Sequence, residues 1–226
     1  LARWYLGYGK FIFVTESLDK LITEFDDFWV GAVLGSQSLG FYSKAYEFAN
    51  YPRRVISEPV TQVLFPAFAK VQDNPLRLSE AYFRASSLIV RAGFMIGGML
   101  VLGAHQLVML FLGSRWVPMV LTFRLMILFI VLEPLRRVSG NLVNAVGRPE
   151  FYTQARVVES VLAVPLVILG ARWWGIRGVA MAVDVVLLAG LFIVLRQVRA
   201  LVRISFFRML FFPSAAMTAA MLVGWQ

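Results

Sequence analysis

The chain has no cysteine, a single histidine (His105) and little charge: of its 226 residues only 15% are Asp, Glu, Lys or Arg, against roughly a quarter in an ordinary soluble domain. Without cysteine there is no disulfide-stapled scaffold. No glycine repeat is present, which excludes a collagen-like chain, and the scarcity of charge excludes intrinsic disorder. There is no His-Glu-x-x-His helix, no Gly-x-Ser-x-Gly turn and no phosphate-cradling loop, so the sequence points to neither an enzyme nor a metal or cofactor site. The lone His105 reads as a neutral packing residue.

What the chain has is apolarity. Hydrophobic residues make up 59% of it, and stretches such as Gly93 to Gly113 are as long as a bilayer crossing, about twenty residues, requires. Their unbroken character excludes a membrane β-barrel, whose strands alternate over about ten residues. The expected fold is all-α, a polytopic transmembrane helix bundle of about seven crossings. These run near Lys10–Leu34, Leu39–Lys70, Leu76–Leu112, Val117–Val146, Phe151–Ala171, Ile176–Leu195 and Phe206–Trp225, with Gly, Pro and Asn at the junctions, as helix ends and turns demand. Residues 1–203 are read as a six-helix bundle and 204–226 as the start of a further, truncated helix. The opening Leu1, in place of an initiator Met, leads us to expect a longer polypeptide.

The net charge of +9 could suggest nucleic acid, but the basic residues sit in short clusters between apolar runs, the pattern that orients a membrane protein. One set of alternate junctions holds Arg3, Lys10, Lys70, Arg77, Arg84, Arg148, Arg156, Arg196, Arg199, Arg203 and Arg208; the other holds only Arg115, Arg172 and Arg177. The positive-inside bias places the turns at Gln72, Gly147 and Arg199 in the cytoplasm. Trp116, Trp173 and Trp174 fall at the opposite turns, where indole rings favour the headgroup level.

Charges inside the crossings carry the functional signal. An ion at the middle of a lone crossing costs roughly 2.5–3.5 kcal/mol, several times what one Leu or Ile returns. The first crossing nevertheless holds Glu16, Asp19, Lys20, Glu24, Asp26 and Asp27, so it must face protein or water. Glu16, Lys20, Glu24 and Asp27 share one helical face; so do Glu47, Tyr51, Arg54, Glu58 and Gln62 in the second crossing, and Glu133, Arg137, Asn141 and Asn144 in the fourth, while Arg156 and Glu159 open the fifth. Polar stripes on several helices suggest a shared hydrophilic cavity. The competing account is that Lys20–Glu24, Arg54–Glu58 and Glu133–Arg137 pair at i, i+4 and merely hold helices together. Pro52, Pro59 and Pro66, spaced by sevens, weaken one side of the second helix and suggest a hinge. Asp184, alone in the sixth crossing, is a candidate cation or proton site, or the partner of an Arg on another helix.

A distributed pattern then emerges: Asp26-Asp27 before Trp29-Val-Gly31, Leu34-Gly35, Leu39-Gly-Phe-Tyr42, Ala45, Pro52, Val63-Leu-Phe-Pro-Ala-Phe68 and Gln72-Asp73, followed by Tyr82-Phe-Arg84, Leu112-Gly-Ser-Arg-Trp116 and Asn144-Ala-Val-Gly-Arg148. It resembles the carboxyl-terminal half of bacterial oligosaccharide flippases, the polysaccharide-exporter branch of the multidrug/oligosaccharidyl-lipid/polysaccharide exporter superfamily. The resemblance implies one lobe of a two-lobe transporter in the bacterial inner membrane, its partner being an amino-terminal lobe of the same polypeptide. The implied cargo is an oligosaccharide on undecaprenyl diphosphate, moved between leaflets among membrane lipids, with a proton or sodium as coupling ion.

A diphosphate cargo needs cations in a hydrated groove. Arg53, Arg54, Arg91, Arg136, Arg137 and Arg156 suit that role, with Gln62, Asn141 and Asn144 for sugar hydroxyls; Glu58 and Glu133 would tune the arginines, and Glu24, Asp27 and Asp184 are coupling candidates. The alternatives are a multidrug cation antiporter of the same superfamily, whose cavity would be acid-dominated, and an intramembrane enzyme acting on lipid-linked sugars, for which the outer junctions are short.

Overall fold

Among the described residues four glycines adopt positive φ: Gly35 (85°), Gly113 (85°), Gly147 (76°) and Gly175 (59°). Each lies at a junction expected from the sequence, where the chain must leave one helix and reverse, a conformation that costs a residue with a Cβ atom. The computed structural model describes residues 2–52, 54 and 58–203, and among these every regular element is helical. The elements are α1 (Ala2–Leu34), α2 (Ser36–Pro52), α3 (Glu58–Val71), α4 (Pro75–Leu102), α5 (Ala104–Phe111), a 3-10 turn (Ser114–Met119), α6 (Val120–Leu125), α7 (Ile127–Ala145) and α8 (Pro149–Leu201). The chain is an all-α membrane helix bundle. The expected last crossing, 206–225, and Arg53 lie outside the described residues.

Two expected crossings, the third and the fourth, are built from pieces. The second runs through α2 and α3, with residues 53 and 55–57 between them outside the described residues; Pro59 falls in the first turn of α3 and Pro66 lies inside it. The third divides at Gly103 into α4 and α5. The fourth is the 3-10 turn with α6, followed by α7 at a bend of 50°. His105, expected to pack, is exposed, because α5 buries the face carrying Ala104 and Val108.

By length and composition α4 and α8 can cross a membrane, and the bent α6–α7 segment completes a third such stretch. The 53 residues of α8 are not one rod: Trp174 and Gly175 leave helical geometry and split it into arms 149–173 and 176–201, which correspond to the fifth and sixth expected crossings. The arms return antiparallel. A Cβ at Gly170 or Gly178 would overlap the other's backbone, and further along Gln197 donates to Gln154 at 3.0 Å. Small residues let the two backbones approach closely, which is how membrane helices gain packing energy without a hydrophobic drive.

The core has two tiers. At the end bearing the Gln72 and Gly147 turns, Phe68, Tyr82, Val90, Leu135, Leu142 and Val198 are buried together. At the end bearing Gly35, Gly113 and Gly175, Val30, Tyr42, Val108, Met119, Phe123 and Val179 form the second cluster. Between the tiers, α1, α7 and the first arm of α8 bring Asp19, Glu133, Arg136, Arg156 and Glu159 together.

Substituting Gly178→Ala should lower the stability of the purified protein by about 1–3 kcal/mol, the usual cost of overpacking, because the added methyl meets backbone that cannot rotate away. Gly40→Ala, where a Cβ meets nothing within 4 Å, is the control, expected to leave the thermal midpoint unchanged or slightly raised.

Candidate functional site

The acid-rich α1 survives in the bundle because its acid pair and its buried threonine are answered from neighbouring helices. Tyr42 donates its hydroxyl to Asp26 Oδ2 at 2.6 Å and Ser43 donates to Asp27 Oδ1 at 2.9 Å, so α2 satisfies the acid pair at one end. Toward the other end the hydroxyls of Thr15 and Thr153 meet at 2.9 Å, joining α1 to α8. A cavity of about 590 Å³ opens beside this helix.

The cavity is lined by side chains of α1, α2, α7 and both arms of α8. Its charged lining comprises Glu16, Asp19, Glu24, Asp26, Glu133 and Glu159 against Lys20, Arg54, Arg136, Arg137 and Arg156. Two pairs at i, i+4 form as spacing predicts: Lys20 with Glu24 at 3.7 Å, both exposed, and Arg137 with Glu133 at 2.6 Å. Pairing and an opening therefore coexist.

Along the lining runs one continuous chain of alternating charge. Arg137 Nε donates to Glu133 Oε1; Arg136 reaches the same Glu133 oxygen at 3.3 Å and lies 3.9 Å from Glu159 Oε2. Glu159 pairs with Arg156, and Arg156 with Asp19 of α1. Three arginines meet three carboxylates. The four interior members have side chains no more than 8% exposed, whereas the terminal Arg137 and Asp19 are 36% and 26% exposed. Arg136 also donates to the Tyr152 hydroxyl at 2.5 Å and stacks over its ring. Gly190 on the second arm of α8 makes room for Glu159, since any Cβ there would overlap its carboxylate.

Of the residues singled out in the sequence, the cavity gathers Arg54, Glu133, Arg136, Arg137, Arg156 and Glu24. Others lie elsewhere. Gln62 is exposed on α3 and Arg91 on α4; Glu58 opens α3 and Asn144 lies near the end of α7, both half-buried. Asn141 donates to the Thr61 carbonyl at 2.9 Å and so ties α7 to α3. Asp27 is engaged by Ser43, away from the cavity. The buried Asp184 accepts the backbone N–H of Phe129 at 3.0 Å. That N–H belongs to the first turn of α7, just past the 50° bend, where a helix leaves donors without an internal partner. Asp184 thus caps α7 from another helix.

The cavity also takes in Asp19, Asp26, Asn50 and Glu159, which the sequence reading leaves out of the site. Spacing offered a signal for two of them: Asp19 follows Glu16, and Glu159 follows Arg156, by three residues, one helical turn.

A family model described as polysaccharide biosynthesis protein matches residues 2–121. The lipopolysaccharide biosynthesis protein WzxC of Escherichia coli (strain K12) is 26% identical over 178 residues, covering 78% of this chain and 36% of the relative. The amylovoran biosynthesis protein AmsL of Erwinia amylovora is 26% identical over 168 residues, or 74% of this chain and 43% of its own length. The teichuronic acid biosynthesis protein TuaB of Bacillus subtilis (strain 168) is 24% identical over 156 residues, 68% and 32% respectively. The chain spans well under half the length of each.

Three variants test how the buried groups are held. Glu159→Ala should destabilise the protein by about 3–5 kcal/mol, because it leaves Arg136 and Arg156 buried with a counter-ion missing. Asp184→Asn, which keeps an acceptor oxygen, should retain the wild-type melting temperature, whereas Asp184→Leu should lose about 1–2 kcal/mol as a lost cap does. A melting series in detergent reads all three; loss of transport in a stable Asp184→Asn protein would instead mark Asp184 as a coupling group.

Proposed function

Because the chain belongs to the polysaccharide biosynthesis protein family, we propose that it forms one lobe of a transporter that carries undecaprenyl-diphosphate-linked oligosaccharide across the bacterial inner membrane by alternating access. The observation carrying this reading is a 590 Å³ cavity in a membrane bundle onto which Arg54, Arg136, Arg137 and Arg156 converge. A diphosphate is a planar-fork target that guanidinium groups bind through paired, charge-assisted hydrogen bonds, and the uncharged sugar would occupy the wet remainder. The second lobe completes the conduit. A chemical step is not needed: the cargo leaves as it entered, on the opposite leaflet.

In this reading the Gln72, Gly147 and Arg199 turns face the cytoplasm and the tryptophan-bearing Gly175 turn faces outward. Pro52, Pro59 and Pro66 form the hinge about which one part of the lobe rocks. Arg53, Arg91, Gln62, Glu58, Asn141 and Asn144 remain candidates for contact with the sugar or the other lobe, and Glu24, Asp27 and Asp184 for a coupling proton or sodium ion.

The carboxylates that α1 contributes give the cavity an acidic wall, which is the feature a cation-exporting antiporter of the superfamily would use. A transport assay decides between the two. Arg137→Gln and Arg54→Gln should reduce delivery of undecaprenyl-diphosphate-linked sugar into the opposite leaflet of proteoliposomes at least about tenfold, the worth of one charged hydrogen bond or more, with export of a cationic dye absent throughout. Dye export without sugar transport would favour the antiporter. Single cysteines at Glu24, Arg54 and Arg137 should each react with a membrane-impermeant thiol reagent, and protection of all three would overturn the cavity as a conduit.

A further inference from the structure

An anionic cargo faces an obstacle in this cavity, because Arg136, Arg137 and Arg156 are already neutralised. Along the chain Arg137–Glu133–Arg136–Glu159–Arg156–Asp19 there is one carboxylate for each arginine, so a diphosphate can take a full partner from this chain only by displacing a carboxylate. The three carboxylates are not equally displaceable. Glu133 and Glu159 are almost fully enclosed, with side chains 3% and 1% exposed, and releasing either would strand it in a low-dielectric interior. Asp19 is 26% exposed and lines the cavity, so water can receive it.

Asp19 is also the only member of the chain that belongs to α1; the other five sit on α7 and α8. Its bond to Arg156 is therefore the direct ion pair that ties α1 to the rest of the network, with Glu16, one turn earlier on α1, also acting on Arg156. Apart from that bond, the hydroxyl contact of Thr15 with Thr153, and the acceptance of a Thr153 hydrogen bond by the Phe11 carbonyl, join the two helices at this level.

We propose that Asp19 is a displaceable counter-ion: a diphosphate takes Arg156 from it, and occupancy of the cavity thereby releases α1 from α8. The idea rests on the anionic-cargo reading above and adds to it the residue that links binding to movement. It makes the ion pair a latch that only a strong anion opens. A neutral sugar, or a cation, offers Arg156 nothing in exchange and leaves the latch closed.

Two measurements on the full-length protein test this, with cysteines outside this chain replaced. The first is binding of inorganic pyrophosphate to purified protein by titration calorimetry. Asp19→Asn removes the competitor and should tighten binding at least about tenfold, the worth of a charge-assisted hydrogen bond, while Asp19→Glu should restore the wild-type affinity. A residue that merely packed α1 against α8 would, on mutation, lower stability without tightening binding. The second is a disulfide between Thr15→Cys and Thr153→Cys, whose hydroxyls now meet at 2.9 Å and which this cysteine-free chain can carry without background. Oxidation should stop transport and reduction should restore it.

Unchanged or weaker pyrophosphate binding in Asp19→Asn, or undiminished transport in the oxidised protein, overturns the latch; should Asp19→Asn not insert, the disulfide alone decides. If wild type and the reduced double-cysteine protein both move no lipid-linked sugar, the cargo assignment fails instead, and tightened pyrophosphate binding in Asp19→Asn still registers the displacement.

Discussion

A charge placed in the interior of a membrane bundle cannot be left alone, and the arrangement of this protein follows from that constraint. Removing an ion from water costs several kcal/mol even after relaxation, and only a close counter-ion with further hydrogen bonds recovers it. Here the demand is met by concatenation, each interior group touching the next of opposite sign from Arg137 to Asp19. Helix order serves that chain. The two arms of α8 turn back at Gly175 so that Glu159 on the first lies against Gly190 on the second, and α7 is bent so that Glu133 and Arg136 enter the same layer. Asp184 stabilises that bend by capping α7 at Phe129.

Much of the architecture is legible in residue order because turns and apolar runs are local signals. Gly35, Gly113, Gly147 and the Trp173–Gly175 turn announce themselves by composition, and each is where the chain reverses. Breaks within the crossings are less visible. Gly103 and Met126 divide apolar runs without changing their hydropathy, so α4 from α5 and α6 from α7 cannot be separated by reading apolarity alone.

Side-chain partnerships are the part that residue order conceals. Spacing finds Glu133 with Arg137 because both lie on one helix. It gives no means of finding Asp19 with Arg156, or Arg136 with Glu159, because those pairs depend on how far α1 and α7 slide along α8. Nor could it tell that Asp184 would meet a backbone N–H: the free donor at Phe129 exists only because the helix is bent there. Polar stripes disclose that a wet layer exists; which ions neutralise which is a property of packing.

The two halves of α1 are held by different physics, and this gives the ionic layer its consequence. Toward Gly35, Val30 is fully buried, with Phe25, Trp29 and Leu34 packed in the same apolar cluster, and close packing of this kind is what holds helices together in a bilayer. Toward the other end, the holds are Thr15 on Thr153 and Asp19 on Arg156, with Phe13 and Val14 exposed. Polar contacts of this kind are exchangeable, since water or an anion can supply the same hydrogen bonds at little net cost. The charged layer thus holds the end of α1 that apolar packing leaves least secured.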